Sequence, residues 1–319
     1  MQALIAGLGD YKTPSESILP SCPRLEIQED TFPDGERFHQ IVSNVRKKDV
    51  ILFSGTHDDR HFLDLVDVAS ACAKSAAKSL TLLIPYFGYS TMERATNPGE
   101  VIKAKVRARI LSSIPQAKEG NQILFLDLHA AGIPEYLEGD TNGFPIYGES
   151  LVLEAIQSLP YQNTPYCLGS TDGGRSKWVQ SLAKKLGVQA ISADKTRTSG
   201  SEVHLNNIQG NCEGLQVVIY DDMIRTGGSL LAAAKGYLQA GAVNVRAVTT
   251  HGVFPNDSLR RILDTCHGQR TVIEKIVCLD SIPKVHQLKA DLPKDYQGSF
   301  DILSTTTLWE TAIRNYVFN

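Results

Sequence analysis

Val217-Val-Ile-Tyr-Asp-Asp-Met-Ile-Arg-Thr-Gly-Gly-Ser229 runs directly into an alanine-rich stretch, Leu230 to Gln239. The four apolar residues 217–220 have the composition of a strand buried on both faces, and the alanine-rich stretch reads as a helix. A strand that passes through a short polar loop into a helix is the repeating unit of a parallel α/β sheet. At the carboxyl end of the strand, Asp221 and Asp222 are placed to accept hydrogen bonds from the two hydroxyls of a ribose. Gly227 and Gly228 let the backbone approach a ligand, and the first N–H groups and dipole of the helix attract a phosphate. Thr226 and Ser229 add hydroxyl donors, and Arg225 shares the loop. A plain helix cap would account for Ser229 but not for two adjacent carboxylates followed by two glycines.

Outward from this loop, strand-like and helix-like segments alternate. Asp49 to Gly55, Leu80 to Pro85, Ile123 to Asp127, Ala190 to Ala193 and Val245 to His251 are short apolar runs. Phe62 to Ser79 has a helical period, and a second helix is expected over Glu100 to Ser113, after the Asn97-Pro-Gly99 loop. Thr196 to Asn211 shows no period and reads as a loop, long enough to act as an active-site flap. The halves echo each other. Glu119-Gly-Asn-Gln122 and Glu213-Gly-Leu-Gln216 each precede an apolar strand ending in aspartate, and Phe53-Ser-Gly-Thr56 parallels Gly169-Ser-Thr-Asp172. Duplication would make each half a sheet with helices on both faces, joined near Gly143 to Leu151.

Composition agrees with this and narrows the function. The 319 residues suit two domains of about 150. At 42% hydrophobic and 21% charged the chain is ordinary globular protein. Apolar runs fall well short of the roughly 20 residues that span a bilayer, so no membrane partner is expected. A net charge of −3 argues against nucleic acid as a partner. Six scattered cysteines, and a start lacking a basic leader with an apolar stretch, lead us to expect a cytoplasmic protein with reduced thiols. Neither G-x-x-x-x-G-K-[ST] nor a post-strand G-x-G-x-x-G occurs, so a nucleotide would be bound without a P-loop or a dinucleotide fold.

The 217–229 loop resembles the phosphoribosyl-binding signature of the type I phosphoribosyltransferase fold. With it in place, five further motifs resemble those of the ribose-phosphate pyrophosphokinase family, in the family's order and over nearly the whole chain. They are Phe32-Pro-Asp-Gly-Glu36, Pro85-Tyr-Phe-Gly-Tyr89 with Glu93-Arg94, Leu126-Asp-Leu-His-Ala-Ala131, Ser170-Thr-Asp-Gly-Gly174 and Asp194-Lys-Thr-Arg197. The resemblance implies an α/β protein of two tandem type I phosphoribosyltransferase-like domains with mainly parallel sheets. Residues 1–148 would form the nucleotide side and 149–319 the ribose 5-phosphate side, with a terminal helix 307–317 packed back on the first.

The implied reaction is transfer of the pyrophosphoryl group of ATP to the C1 hydroxyl of ribose 5-phosphate. It also implies Mg²⁺ and a homo-oligomer in which the Phe32–Glu36 loop completes a neighbour's site. Lys195, Arg197 and His129 would be catalytic. Phe32, Asp34, Glu36, Glu93, Arg94 and His129 would bind nucleotide. Asp172, Asp221, Asp222, Arg225, Thr226, Gly227, Gly228 and Ser229 would bind ribose 5-phosphate, and His129 and Asp172 would meet the metal.

The chain departs from the familiar branch at Thr91-Met-Glu-Arg94, where R-Q-D-R is usual, and at Arg225, where an acidic residue is usual. With Ala108 to Pro115 and Thr250 to Pro255, these resemble the phosphate-independent branch, which opens donors other than ATP. Two alternatives stay open on sequence: a non-catalytic regulator of a synthetase, and a phosphoribosyltransferase. His57-Asp-Asp-Arg-His61 has a spacing that can hold metal, but at the start of a helix Asp58 or Asp59 reads better as an N-cap.

Overall fold

The structure is a computed structural model that describes residues 3–162, 164–197 and 203–318; for 194–197 and 203–207 it describes the backbone alone. The chain divides into two compact units, residues 1–147 with 305–319, and residues 148–304. The first unit contains β1 (Ala3–Gly7), α1 (Lys12–Ser17), the hairpin β2 (Ile27–Thr31) and β3 (Arg37–Ile41), and β4 (Asp49–Phe53). It continues with α2 (Asp59–Lys74), β5 (Ser79–Ile84), α3 (Lys103–Ser112), β6 (Asn121–Leu126) and β7 (Thr141–Ile146). The second unit holds α4 (Glu149–Gln157), β8 (Tyr166–Ser170), α5 (Ser176–Leu186), β9 (Ala190–Arg197), β10 (Val203–Gln209), β11 (Gln216–Ile224) and α6 (Gly228–Gln239). It closes with β12 (Asn244–Gly252), α7 (Ser258–Asp264), the short pair β13 (Cys266–His267) and β14 (Arg270–Thr271), β15 (Lys275–Leu279), α8 (Lys284–Asp291) and β16 (Phe300–Leu303). The last helix, α9 (Thr306–Tyr316), belongs to the first unit.

Among the described residues the first unit has one fully parallel sheet, in the order β1-β4-β5-β6-β7. Apart from the edge strand β7, its strands are buried on both faces, as the apolar runs of β4, β5 and β6 predict. Leu4, Val50, Leu52 and Leu82 pack with Phe62, Leu65, Val68 and Cys72 of α2 on one face. Their alternates Ile5, Ile51, Phe53 and Leu83 pack on the other with Trp309, Ala312 and Ile313 of α9. Trp309 is fully buried, edge-on to Phe53 with ring centroids 5.5 Å apart.

The second unit has a sheet in the order β10-β9-β8-β11-β12-β15-β16, parallel except for β10 against β9. Val217 and Ile219 lie in the core under α6, while buried Val218 and Tyr220 alternate to the opposite face. The fold is thus α/β with mainly parallel sheets, and no described helix is long and apolar enough to cross a membrane.

The structure moves several boundaries. Helix α2 starts at Asp59 rather than Phe62 because Asp58 caps it, its Oδ1 accepting from the His61 backbone N–H at 2.8 Å. It ends at Lys74, short of Ser79, where Ala76 turns left-handed (φ +64°) before β5. Helix α3 starts at Lys103 rather than Glu100, because the Glu100 carboxylate is used in the preceding loop. It accepts from the backbone and hydroxyl of Thr96 at 2.7 and 2.8 Å and from the Asn97 amide. The amide of Asn97 and the two Thr96 donors hold the Glu100 carboxyl down to about 2. Of the stretch Thr196 to Asn211 expected as a loop, residues 198–202 lie outside the described residues, and the remainder is not a loop. Most of its described part is an antiparallel pair, β9 with β10, whose register slips between Leu205 and Asn207. That irregularity breaks the period of two by which a strand is read.

Candidate functional site

The region around the 217–229 stretch lies wholly in the second unit and is built by two adjacent parallel strands. Tyr220 pairs with Ser170, so the ends of β11 and β8 present Asp221 and Asp222 next to Thr171 and Asp172. Strand β11 runs further than the sequence indicates, to Ile224, because Met223 and Ile224 continue the ladder with His251 and Gly252 of β12. The two carboxylates therefore sit in the strand, and the loop proper is only Arg225 to Gly227. Alternation sends the two aspartates to different surroundings. Asp222 is buried and forms an ion pair with Arg175 of the loop after β8. Asp221 is partly covered, and its Oδ2 accepts the Thr171 hydroxyl at 2.9 Å. Burial pushes the Asp221 carboxyl well above the usual carboxylate range, and the neighbouring Asp222 charge adds to it; Thr171 and Arg175 oppose the shift without cancelling it.

Beyond the strand, Arg225, Thr226, Gly228 and Ser229 are exposed, and Gly227 is the buried N-cap of α6. Gly227 has φ +80°, and a Cβ there would lie 2.4 Å from Ile262, so glycine is required by packing and backbone conformation rather than by ligand approach. A Cβ on Gly228 would meet nothing within 4 Å. That open side, at a helix N-terminus lacking acidic residues in its first turn, suits an anion. Asp172 shapes its own turn, Oδ1 accepting from the Gly174 N–H at 3.0 Å. Beside β8, strand β9 pairs with it as far as Ser192 and then continues past its end to Arg197, backed by β10. Lys195 and Arg197 lie on this extension, opposite Leu205 and Val203; their side chains lie outside the described residues.

The first unit brings another group together. His129 follows β6, Glu93 and Arg94 follow β5, and all three line one cavity of about 550 Å³ with Thr91, Met92 and Lys103. The β5 loop is anchored to the helices below it. The Tyr136 hydroxyl donates to the Glu93 carbonyl at 2.7 Å, and the Tyr89 hydroxyl to Asp59 at 2.7 Å. The Arg107 guanidinium covers both the Tyr89 and the Phe62 rings.

Phe32, Asp34 and Glu36 stand apart at the exposed tip of the β2–β3 hairpin. The Phe32 and Gly35 amides close that tip with carbonyls of Glu36 and Phe32 at 2.8 and 2.9 Å. Asp34 Oδ1 accepts from the Glu36 N–H at 3.1 Å. Phe32 is 46% exposed, a large accessible ring. Glu36 lines a different cavity, with Arg37, Arg60 and Asp64.

Residues 17–114 match the model of the N-terminal domain of ribose phosphate pyrophosphokinase. The ribose-phosphate pyrophosphokinase of Campylobacter jejuni is 30% identical over 301 residues, covering 94% of this chain and 90% of that one. This chain belongs to the ribose-phosphate pyrophosphokinase family. The enzyme of that name from Maricaulis maris is 31% identical over 269 residues, covering 81% and 82%. The crystal structure of phosphoribosylpyrophosphate synthetase from Mycobacterium smegmatis shares the fold, with a TM-score of 0.82 at 20% identity over 98% of both chains. The chain is thus an enzyme of this family, with an α/β fold of mainly parallel sheets shared over 98% of its length with that synthetase.

Sequence reasoning missed two residues that shape the sugar loop, Arg175 and Thr171. Thr171 lies inside the quoted Ser170–Gly174 motif and Arg175 follows it, but the partner of each lies about fifty positions downstream, and only the β8–β11 pairing brings them together.

Proposed function

We propose that the chain transfers the diphosphate of ATP to the C1 hydroxyl of ribose 5-phosphate, giving 5-phosphoribosyl 1-pyrophosphate and AMP. The observation that carries this reading is the loop after β11. A carboxylate pair fixed by Arg175 and Thr171 stands in front of an open helix N-terminus, a fit for the hydroxyls and the phosphate of one sugar phosphate. Asp221, the more exposed of the two, receives the ribose hydroxyls, whereas Asp222, which the sequence also assigns to them, is buried against Arg175; Arg225, Thr226, the Gly227–Gly228 backbone and Ser229 take the 5-phosphate. The second unit is the sugar side. The first is the nucleotide side, its cavity at Glu93, Arg94 and His129 taking the nucleoside triphosphate.

Attack on the β-phosphorus needs alignment and neutralisation of charge more than covalent help. Lys195 and Arg197 supply cations as charge moves to the departing AMP. The carboxylate oxygens of Asp172 on the sugar side and, separately, the imidazole of His129 in the nucleotide cavity would each meet Mg²⁺, which would screen the phosphate charges. Phe32, Asp34 and Glu36, remote from that cavity in their own hairpin, complete the base site of a neighbouring copy, so the working form is a homo-oligomer. Thr91 and Met92 in the cavity wall support membership of the phosphate-independent branch. The cysteines are free thiols, and burial pushes Cys72 and Cys167 up to about 12, in keeping with a reducing cytoplasm. Incubation with ATP, ribose 5-phosphate and Mg²⁺ tests the reading. AMP should form only when the sugar is present; ADP in its place, or a requirement for a free base, would overturn it.

A further inference from the structure

We propose that Asp10, His57 and His61 form a binding site for a divalent transition-metal ion of the zinc class, separate from the residues assigned to the reaction. Adjacent parallel strands create it. Gly7 of β1 pairs with Phe53 of β4, so the loops leaving these two strands lie side by side at the carboxyl edge of the sheet. One loop carries Asp10, the other carries His57 and leads into the first turn of α2, where His61 stands. One ligand atom from each of the three lies within 4.8 Å of the other two.

The second carboxylate orients the rings. Asp58 caps α2 and also receives the His61 Nδ1 at 2.9 and 3.0 Å through its two oxygens. A ring whose Nδ1–H is held by a carboxylate presents its Nε2 lone pair to a metal. The His61 Nε2 faces Asp10 Oδ2 at 3.6 Å, too long for a hydrogen bond. Two ligands of one tetrahedral zinc, each about 2.0–2.1 Å from the ion, stand about 3.4 Å apart.

His57 completes the set, its ring centroid 4.1 Å from that of His61. Gly9 leaves room for the approach. It has φ +53°, and a Cβ there would lie 2.8 Å from the His61 Nε2. The Asp10 side chain is 60% exposed, which leaves an open side for water as a fourth ligand. Two imidazoles and one carboxylate suit zinc, cobalt or nickel, whereas Mg²⁺ and Ca²⁺ favour sites made mainly of oxygen donors. The ion would clip the loop after β1 to the start of α2.

Cobalt(II) titration of the full-length, metal-stripped protein in excess Mg²⁺ tests this, because Mg²⁺ fills the oxygen sites and Co²⁺ reports coordination by its visible bands. The expected result is one Co²⁺ per chain with the intense bands of a four- or five-coordinate ion, displaced by Zn²⁺. His57→Gln, His61→Gln and Asp10→Asn should each lose affinity by more than tenfold. Asp58→Asn should keep the spectrum with affinity about 10- to 100-fold weaker. His129→Ala should bind as the wild type does. Circular dichroism verifies that each variant is folded. Only weak, six-coordinate bands from the wild type would overturn the site, as would a folded His57→Gln/His61→Gln variant with unchanged binding. Loss of the bands in His129→Ala would place the ion elsewhere and equally overturn it. None of these readouts depends on turnover.

Discussion

Replacing Arg175 by methionine tests how the sugar loop is held. Asp222 is 3% exposed at its side chain, and Arg175, 22% exposed, forms an ion pair with it. Methionine keeps much of the apolar stem and removes the charge. An exposed ion pair would be worth under about 1 kcal/mol, whereas stranding a buried carboxylate costs about 3–5 kcal/mol. Because the guanidinium keeps some contact with water, the lower end applies, and we expect about 3 kcal/mol at pH 8. The stranded carboxyl can escape by taking a proton, so the loss should shrink as the pH falls towards 5. Arg175→Met/Asp222→Asn should regain at least half of it, since an amide needs no counter-charge. The assay is urea unfolding followed by tryptophan fluorescence in a Trp309→Phe background, where Trp178 reports the second unit. A loss under about 0.5 kcal/mol, or one that does not vary with pH, would refute the reasoning.

Other outcomes follow from the same loops. Gly227→Ala forces a side chain into Ile262 at φ +80° and should cost about 2 kcal/mol or more in urea unfolding. Gly228→Val, facing open space, should leave stability within about 0.5 kcal/mol yet abolish ribose 5-phosphate binding by calorimetry. Asp221 is raised to about 7, so the native state holds a proton that the unfolded chain releases near pH 4. Its contribution to stability is therefore full below about pH 4 and lost as the pH rises to about 7, by at most about 4 kcal/mol. In Asp221→Asn that slope should vanish, and the KM for the sugar should rise. Lys195→Ala and Arg197→Ala should each lower kcat about a hundredfold, with little change in sugar binding. A donor panel should find GTP, CTP or UTP within about tenfold of ATP and no need for added phosphate, because Thr91 and Met92 lack the polar groups that read a base edge.

Much of this was legible in the sequence, and the parts that were not have definite causes. The strand before Asp221 and the helix after Ser229 are visible because an apolar run, a carboxylate pair and two glycines stand together with no long-range partner needed. The central strands β4, β5, β6 and β12 read from their apolar runs for the same reason. The apolar period of α2 reads only from Phe62, and it is the N-cap expected at Asp58 or Asp59 that places the first turn at Asp59. The start of α3 was misplaced because Glu100, a good helix former, closes a loop with Thr96 and Asn97 instead. Strand β10 was hidden by its register slip. The roles of Thr171 and Arg175 depend on strand order, which no local pattern encodes. The metal cluster is half visible as His57 and His61, but Asp10 joins only through the pairing of β1 with β4.

The central claim is diphosphate transfer between the two substrates, and following labelled phosphorus tests it most directly. With ATP labelled separately at the α, β and γ positions, β and γ label should appear together in the sugar product. The α label should stay in AMP, in equal amount and only when ribose 5-phosphate is present. Transfer of the γ label alone, leaving ADP, or no sugar-dependent transfer at all, would contradict it.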